Sequence, residues 1–495
     1  MDLRFQQAPA AEWQANTVLL FNFKGEPLTD SIPSLSETIP WITITPALND
    51  AKGEKNQITV AYGHPSIALP RAVIVGLGER KDFSLEALRD AVKTALLKCR
   101  ELKSDTCAIP LETFDTIEME NSVLVEEAVA SALITLHSYD KFKTQKKEPA
   151  HSPRWMGLLS TEENFPDEIH AAARRGEAAA TGVNYARDLV NAPGNVINAA
   201  ALAEKAEQLG KKYHFKRTIL GSEEIKALGM NAFLSVAHGA RDESRFIVLE
   251  HAPEGTENDA PIVFVGKGIT FDTGGISLKP SLNMHEMKSD MGGAGAIFGL
   301  FEALGHSDIT RRVIGVMPCT ENMPSATATR PGDVVTSLNG KTVEVINTDA
   351  EGRLILIDAL TWVQNEYKPA AIIDLATLTG ACVVALGSNA AAVFATDEEL
   401  SKEIQDAGNR VGDKYWPMPL WDCYFEPLKS DVADMKNVGN REGGAVQAAL
   451  FLKQFIEKDT RWAHLDIAGT AYNTKGGASG FGVRSMLEIV RKGLN

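Results

Sequence analysis

Short β-branched runs alternate along the chain with stretches whose apolar residues recur every three or four positions. Thr17 to Phe23 (TVLLFNF), Arg71 to Gly78 (RAVIVGLG) and Thr106 to Leu111 (TCAIPL) are bounded by turn residues and predict buried strands. Between them, Leu85 to Leu102 puts Leu85, Leu88, Val92, Leu96 and Leu97 on one stripe with charges opposite, which predicts an amphipathic helix. Ser122 to Tyr139 predicts another. Strands alternating with helices imply a mainly parallel sheet covered by helices.

Phe142 to Trp155 is polar and basic with two prolines, and predicts a loop. Asp167 to Asn191 then predicts one long helix, ended by Ala192-Pro193-Gly194. The expected organisation is an N-terminal α/β domain over 1–165, a linker helix over 166–192 and a larger catalytic α/β domain over 193–495. In that last part the strand signals strengthen: Arg245 to His251, Pro261 to Gly268, Arg311 to Pro318, Thr342 to Thr348 and Ala370 to Thr377. Their near-continuous apolar character predicts a central sheet, parallel or mixed, buried on both faces. Gly292 to Gly305 and Arg353 to Glu366 predict helices that cover it.

Composition adds limits. A chain of 495 residues, 44% hydrophobic and 23% charged, is a folded protein of two or three domains and not a disordered one. Its formal net charge of −15 makes it a poor candidate for binding nucleic acid through its general field. The one dense basic run is KFKTQKK, Lys141 to Lys147. Five scattered cysteines without CxxC spacing argue against a disulfide framework and a cysteine zinc site, and fit a reducing cytosol. The N-terminus carries no basic segment followed by an apolar one, and no apolar run is long enough to span a membrane, so the expected location is cytoplasmic.

Several short motifs fail inspection. Gly76-Leu77-Gly78 and Gly266-Lys267-Gly268 follow strands, but Lys81 and Phe271 stand where a dinucleotide fingerprint needs its third glycine. His285-Glu286 opens an HExxH that Ser289 breaks, and the histidines show no ligand spacing.

Two segments are dense in ionisable groups beside glycine: Val265 to Gly293, containing VGKGITFDTGGISLKP and MHEMKSDMGG, and Asn347 to Leu354, NTDAEGRL. Each follows a β-rich run, so each is expected at the carboxyl end of a strand, where open α/β sheets bind ligands. Asp272, Asp290, Asp349 and Glu351 would bring four negative charges that cannot converge without cations, and a pair of divalent metals is a recurrent hydrolytic device. If the segment is extended, Asp349 and Glu351 point the same way. The alternative is a set of surface acids paired with Lys267, Lys279, Lys288 and Arg353.

These motifs resemble the leucyl aminopeptidase (cytosol aminopeptidase) family in its bacterial form, whose signature NTDAEGRL stands intact. The resemblance continues through Asp374 to Gly387, Ala433 to Leu452 and Trp462 to Ala471, and is loose over the N-terminal third. It implies a tighter metal held by Lys267, Asp272, Asp290 and Glu351, and an exchangeable one held by Asp272, Asp349 and Glu351. The ions would be divalent, manganese or zinc, since oxygen and amine donors suit either. Lysine must be neutral to be a ligand, although its free pKa is about 10.4. The resemblance makes Lys279 the stabiliser of the oxyanion, and Arg353 the holder of a bicarbonate that serves as general base. An arginine stays protonated and cannot itself be that base.

Met287, Thr377, Leu378, Gly380 and Ala445 fall in segments that line the family's pocket for the first side chain, which implies a preference for leucine and other apolar residues. The implied substrates are peptides with a free N-terminus, and the implied assembly is a homohexamer. A dinuclear phosphoesterase, or an aminopeptidase with a second role on DNA, are the rival readings.

Overall fold

The computed structural model describes residues 1–9, 12–67, 69–145, 151–161 and 166–494. It divides into two compact units, Met1–Ala180 and Thr181–Asn495, and the division falls inside the helix Asp167–Asn191. Lys146 and Lys147 of the basic run, and part of the expected loop, lie outside the described residues.

The first unit carries a six-stranded sheet in the order Asp2–Gln7, Trp155–Ser160, Thr106–Pro110, Thr17–Asn22, Arg71–Gly76, Ile58–Tyr62. Every pairing is parallel except the last. Thr17–Asn22 and Arg71–Gly76 are almost wholly buried, as their continuous apolar character predicts. Asp2–Gln7 and Ile58–Tyr62 are half-exposed edges whose mixed composition carries no strand signal. The helix Leu85–Glu101 begins at Ser84, whose hydroxyl accepts from Ala87 N at 3.3 Å, and buries Leu88, Val92, Leu96 and Cys99. Leu97 was expected on this stripe and is 43% exposed. It sits one residue, or 100° of rotation, beyond Leu96, and Cys99 completes the buried face in its place.

The second unit is built on a mixed nine-stranded sheet. Its main path runs Tyr415–Pro417, Ala391–Ala395, Trp462–Asp466, Ala371–Ala376, Ile262–Gly266, Val313–Asn322, Arg245–His251, Lys216–Leu220, and Gly268–Asp272 pairs beside Val313–Asn322. The five strands Trp462–Asp466, Ala371–Ala376, Ile262–Gly266, Val313–Asn322 and Gly268–Asp272 are mutually parallel. They are buried on both faces. Gly292–Leu304 is a helix with every residue buried, and Gly352–Tyr367 is buried from Gly352 to Gln364.

One strand goes elsewhere. Thr342–Val345 was expected in the central sheet but joins a separate three-stranded sheet with Asp333–Thr336 and Met435–Lys436. Only its alternate residues are buried, so it is a one-sided strand and not a core one. The five cysteines are free, and among the described residues no helix is long and apolar enough to cross a membrane.

Candidate active site

The five parallel strands all end at one place. Lys267 follows the strand Ile262–Gly266, Asp272 closes Gly268–Asp272, Asn322 closes Val313–Asn322, Thr377 follows Ala371–Ala376, and Asp466 closes Trp462–Asp466. Asp290 arrives at the end of the 3-10 helix Met284–Ser289, and Glu351 at the start of the helix Gly352–Tyr367. The carboxyl edge of the sheet thus collects polar groups from segments far apart in sequence.

Three carboxylates crowd together there. Asp272, Asp290 and Glu351 are buried, and each offers an oxygen within 4.8 Å of the others. At an effective dielectric near 20, three such like-charge pairs repel by about 10 kcal/mol in all, comparable to the stability of a whole domain. Cations have to offset that repulsion. Lys267 Nζ lies 2.8 Å from Asp290 Oδ2 and 2.8 Å from Glu351 Oε1, and donates to the Thr377 carbonyl at 2.9 Å. Lys279 Nζ lies 2.7 Å from Asp272 Oδ2 and 2.5 Å from Asp349 Oδ1, which brings the fourth carboxylate to the cluster through the lysine.

Each group responds to its surroundings. Burial works to lower both lysines, but the adjoining carboxylates outweigh it and hold both ammonium groups well above the usual lysine value. Burial raises Asp272, Asp290 and Asp349 above the ordinary carboxylate range, against the pull of the lysines. Burial also lowers Arg353 to about 10. At neutral pH it remains a guanidinium.

The direction of Asp349 and Glu351 has a different origin from the one expected. The segment is not extended: Thr348 and Asp349 form a turn, and Glu351 already has helical dihedrals, φ −79° and ψ −35°. Both side chains reach the site from a turn running into a helix. Glycine makes the approach possible at two points. Gly274 has φ +87°, and a Cβ there would stand 2.8 Å from Asp349 Oδ1. A Cβ on Gly352 would stand 2.6 Å from Lys267 Cε.

Two asparagines absent from the sequence expectations complete the frame. Asn322 Nδ2 donates to Asp272 Oδ1 at 2.8 Å and to the Thr348 carbonyl at 3.0 Å. Asn437, fully buried, accepts from Ile346 N and donates to the Asn347 carbonyl, while its own carbonyl accepts from Arg353 Nη1 at 2.6 Å. The one signal for Asn322 was a polar residue closing an apolar strand.

The expected pocket residues fall in two groups. Thr377 Oγ1 donates to Asp290 Oδ1 at 2.7 Å, and the Met287 carbonyl accepts from Asp290 N at 3.3 Å. Leu378 and Gly380 follow Thr377, half-buried and exposed respectively. Ala445 is buried in a small apolar cluster with Cys382, Phe394 and Val446. No histidine joins the carboxylate cluster among the described residues. His464 is instead a core residue, its Nδ1 2.6 Å from Asp374 Oδ1.

Residues 184–487 match the model of the cytosol aminopeptidase family's catalytic domain, and residues 19–146 match that of its N-terminal domain. The chain belongs to the cytosol aminopeptidase family. It is 54% identical to a probable cytosol aminopeptidase of Oleidesulfovibrio alaskensis, over 100% of this chain and 99% of that one. A relative of the same description from Nitratidesulfovibrio vulgaris is 53% identical with the same coverage. Among solved structures, a mutant of tomato leucine aminopeptidase is 33% identical with a TM-score of 0.87, over 100% of this chain and 97% of that one. The bottromycin maturation enzyme BotP in complex with Mn is 30% identical with a TM-score of 0.84, over 97% and 99%. The chain is therefore a metal-dependent aminopeptidase, a hydrolase of peptides.

Proposed function

We propose that this aminopeptidase works with two divalent ions and removes leucine and other apolar residues from the N-termini of peptides. The observation that carries the reading is the donor set: four carboxylates meet two lysines at the sheet's carboxyl edge, and buried Glu351 Oε2 has no hydrogen-bond donor among the described residues. A carboxylate oxygen buried in that way is costly unless a cation faces it. Lys267, Asp272, Asp290 and Glu351 would hold the tighter ion, and Asp272, Asp349 (side chain and carbonyl) and Glu351 the exchangeable one. Manganese is favoured by the complex known for BotP, and zinc suits the same donors. When bound, such ions supply Lewis acidity and bring a water's pKa near neutrality.

The chain's own residues do the rest. Lys267 would serve as a ligand only as the neutral amine, its proton passing to solvent, with Asp290 and Glu351 beside it as fellow ligands. The substrate's free amine would be held at the tighter ion, with Asp290, which adjoins Thr377 and Met287, close enough to help, so N-acetyl-leucyl-p-nitroanilide should not be cleaved where leucyl-p-nitroanilide is. Similar rates on the two would overturn the exopeptidase reading.

Arg353 is buried, with Nη1 committed to Asn437 and Nε without an acceptor among the described residues. It would hold bicarbonate as the general base. The parent enzyme should be stimulated by added bicarbonate, and Arg353→Ala should retain metal and lose that stimulation; a full response in the variant would remove Arg353 from that role.

Met287, Thr377, Leu378, Gly380 and Ala445 would line the pocket for the first side chain. A methylene is worth only about 1–3 kcal/mol in such a pocket, so specificity should be broad. The enzyme would act in the cytoplasm as a homohexamer. Exposed Leu282, Val384, Trp416 and Trp421 supply apolar surface suited to such contacts.

A further inference from the structure

We infer that Asp466 is a positioning residue that sets the tighter metal site and the substrate pocket together, by holding the loop 377–379 from behind. Asp466 closes the strand Trp462–Asp466, in register with Ala376 on the neighbouring parallel strand, and is 1% exposed. A carboxylate buried that deeply persists only if its lone pairs are met. The loop meets most of them. Oδ1 accepts from Leu378 N at 3.2 Å, from Thr379 N at 3.4 Å and from Ala468 N at 3.2 Å, and Oδ2 accepts from the Thr379 hydroxyl at 2.6 Å. Thr379 Oγ1 in turn accepts from Cys382 N at 3.0 Å, and so caps the helix Gly380–Leu386.

The opposite side of the same loop faces the ion site. The Thr377 carbonyl accepts from Lys267 Nζ at 2.9 Å, and the Thr377 hydroxyl donates to Asp290 Oδ1 at 2.7 Å. Lys267 and Asp290 are the two proposed ligands that belong to the tighter ion alone. Asp272 takes its orienting bonds from Asn322 and Gly274, and Asp349 its backbone bond from Asn347, so neither depends on this loop. The loop also carries Thr377 and Leu378, with Gly380 directly after it. A change at Asp466 should therefore act on one ion and on substrate binding, and spare the other ion. An outer partner of metal ligands tunes affinity in this manner. The inference rests on the two-ion reading given above.

The test is a titration of the chelated full-length protein with Mn2+, following free ion by electron paramagnetic resonance. The parent protein should show two classes of site. Asp466→Asn keeps an acceptor for the backbone N–H groups but sets an amide against the Thr379 hydroxyl. It should weaken the tighter class by about 10–100-fold and leave the other unchanged. At saturating Mn2+ the same variant should raise KM for leucyl-p-nitroanilide more than it lowers kcat. Thr377→Val removes the hydroxyl from Asp290 and should reproduce the selective loss of affinity; Thr379→Val removes the hydroxyl that Asp466 holds, should give the same pattern, and decides the question if Asp466→Asn does not fold. Two classes in the parent with both kept intact in the variants, or both weakened equally, would overturn the role of Asp466. A parent protein without two classes would instead overturn the two-ion reading, and this inference with it.

Discussion

Glu351→Ala should lose full occupancy of both ions and nearly all turnover. Glu351 is the residue on which the charge balance of the site converges: its Oε1 lies 2.8 Å from Lys267 Nζ, its Oε2 has no donor among the described residues, and one of its oxygens lies within 4.8 Å of oxygens of Asp272 and Asp290. A ligand common to two ions cannot be lost from one alone. The effect should exceed the roughly 10–100-fold that follows loss of an outer partner. Folding should survive, because Lys267 loses its Glu351 partner but keeps Asp290 and the Thr377 carbonyl, and one member of a mutually repelling trio is removed. Metal analysis and kcat/KM on the same preparation check it. A variant with two ions per chain and near-normal turnover would remove Glu351 from the site.

Lys279→Ala should lower kcat by about two to three orders of magnitude, the usual effect of deleting one group that stabilises an oxyanion. Its ammonium is held protonated against burial by Asp272 and Asp349, so it brings a fixed positive charge to the edge of the cluster. Partial exposure leaves it room to turn towards substrate, unlike Lys267, which is enclosed. Metal content should be unchanged, since Lys279 belongs to neither proposed ligand set. Loss of metal in Lys279→Ala would show that the residue serves the ions and not the reaction.

The clustering of carboxylates and lysines was legible in the sequence because the chain delivers them in two short segments, each starting where a strand stops. Lys267, Asp272 and Glu351 need only that local register. Their supports were not legible as such, because each comes from a distant segment: Asn437 and Asp466 lie in stretches that carry the resemblance, but nothing in those stretches says which residue they hold. Asn322 meets Asp272 across 50 residues, Asn437 meets Asn347 across 90, and Asp466 meets Leu378 across 88. The same division runs through the fold. Strands buried on both faces, such as Ile262–Gly266, announced themselves by continuous apolar residues. Asp2–Gln7, Lys216–Leu220 and Thr342–Val345 are partly exposed, and their pairing depends on partners that periodicity does not contain. The shared direction of Asp349 and Glu351 was expected from strand alternation, whereas the segment is a turn running into a helix start.

The central claim is that two divalent ions held by this cluster make the chain an aminopeptidase. It is tested most directly by stripping the protein with a chelator and restoring Mn2+ in measured steps while following leucyl-p-nitroanilide hydrolysis. Activity should vanish with the ions, return as Mn2+ is added, and reach its plateau at two equivalents per chain. Full hydrolysis in the stripped protein, or a plateau at one equivalent, would contradict it.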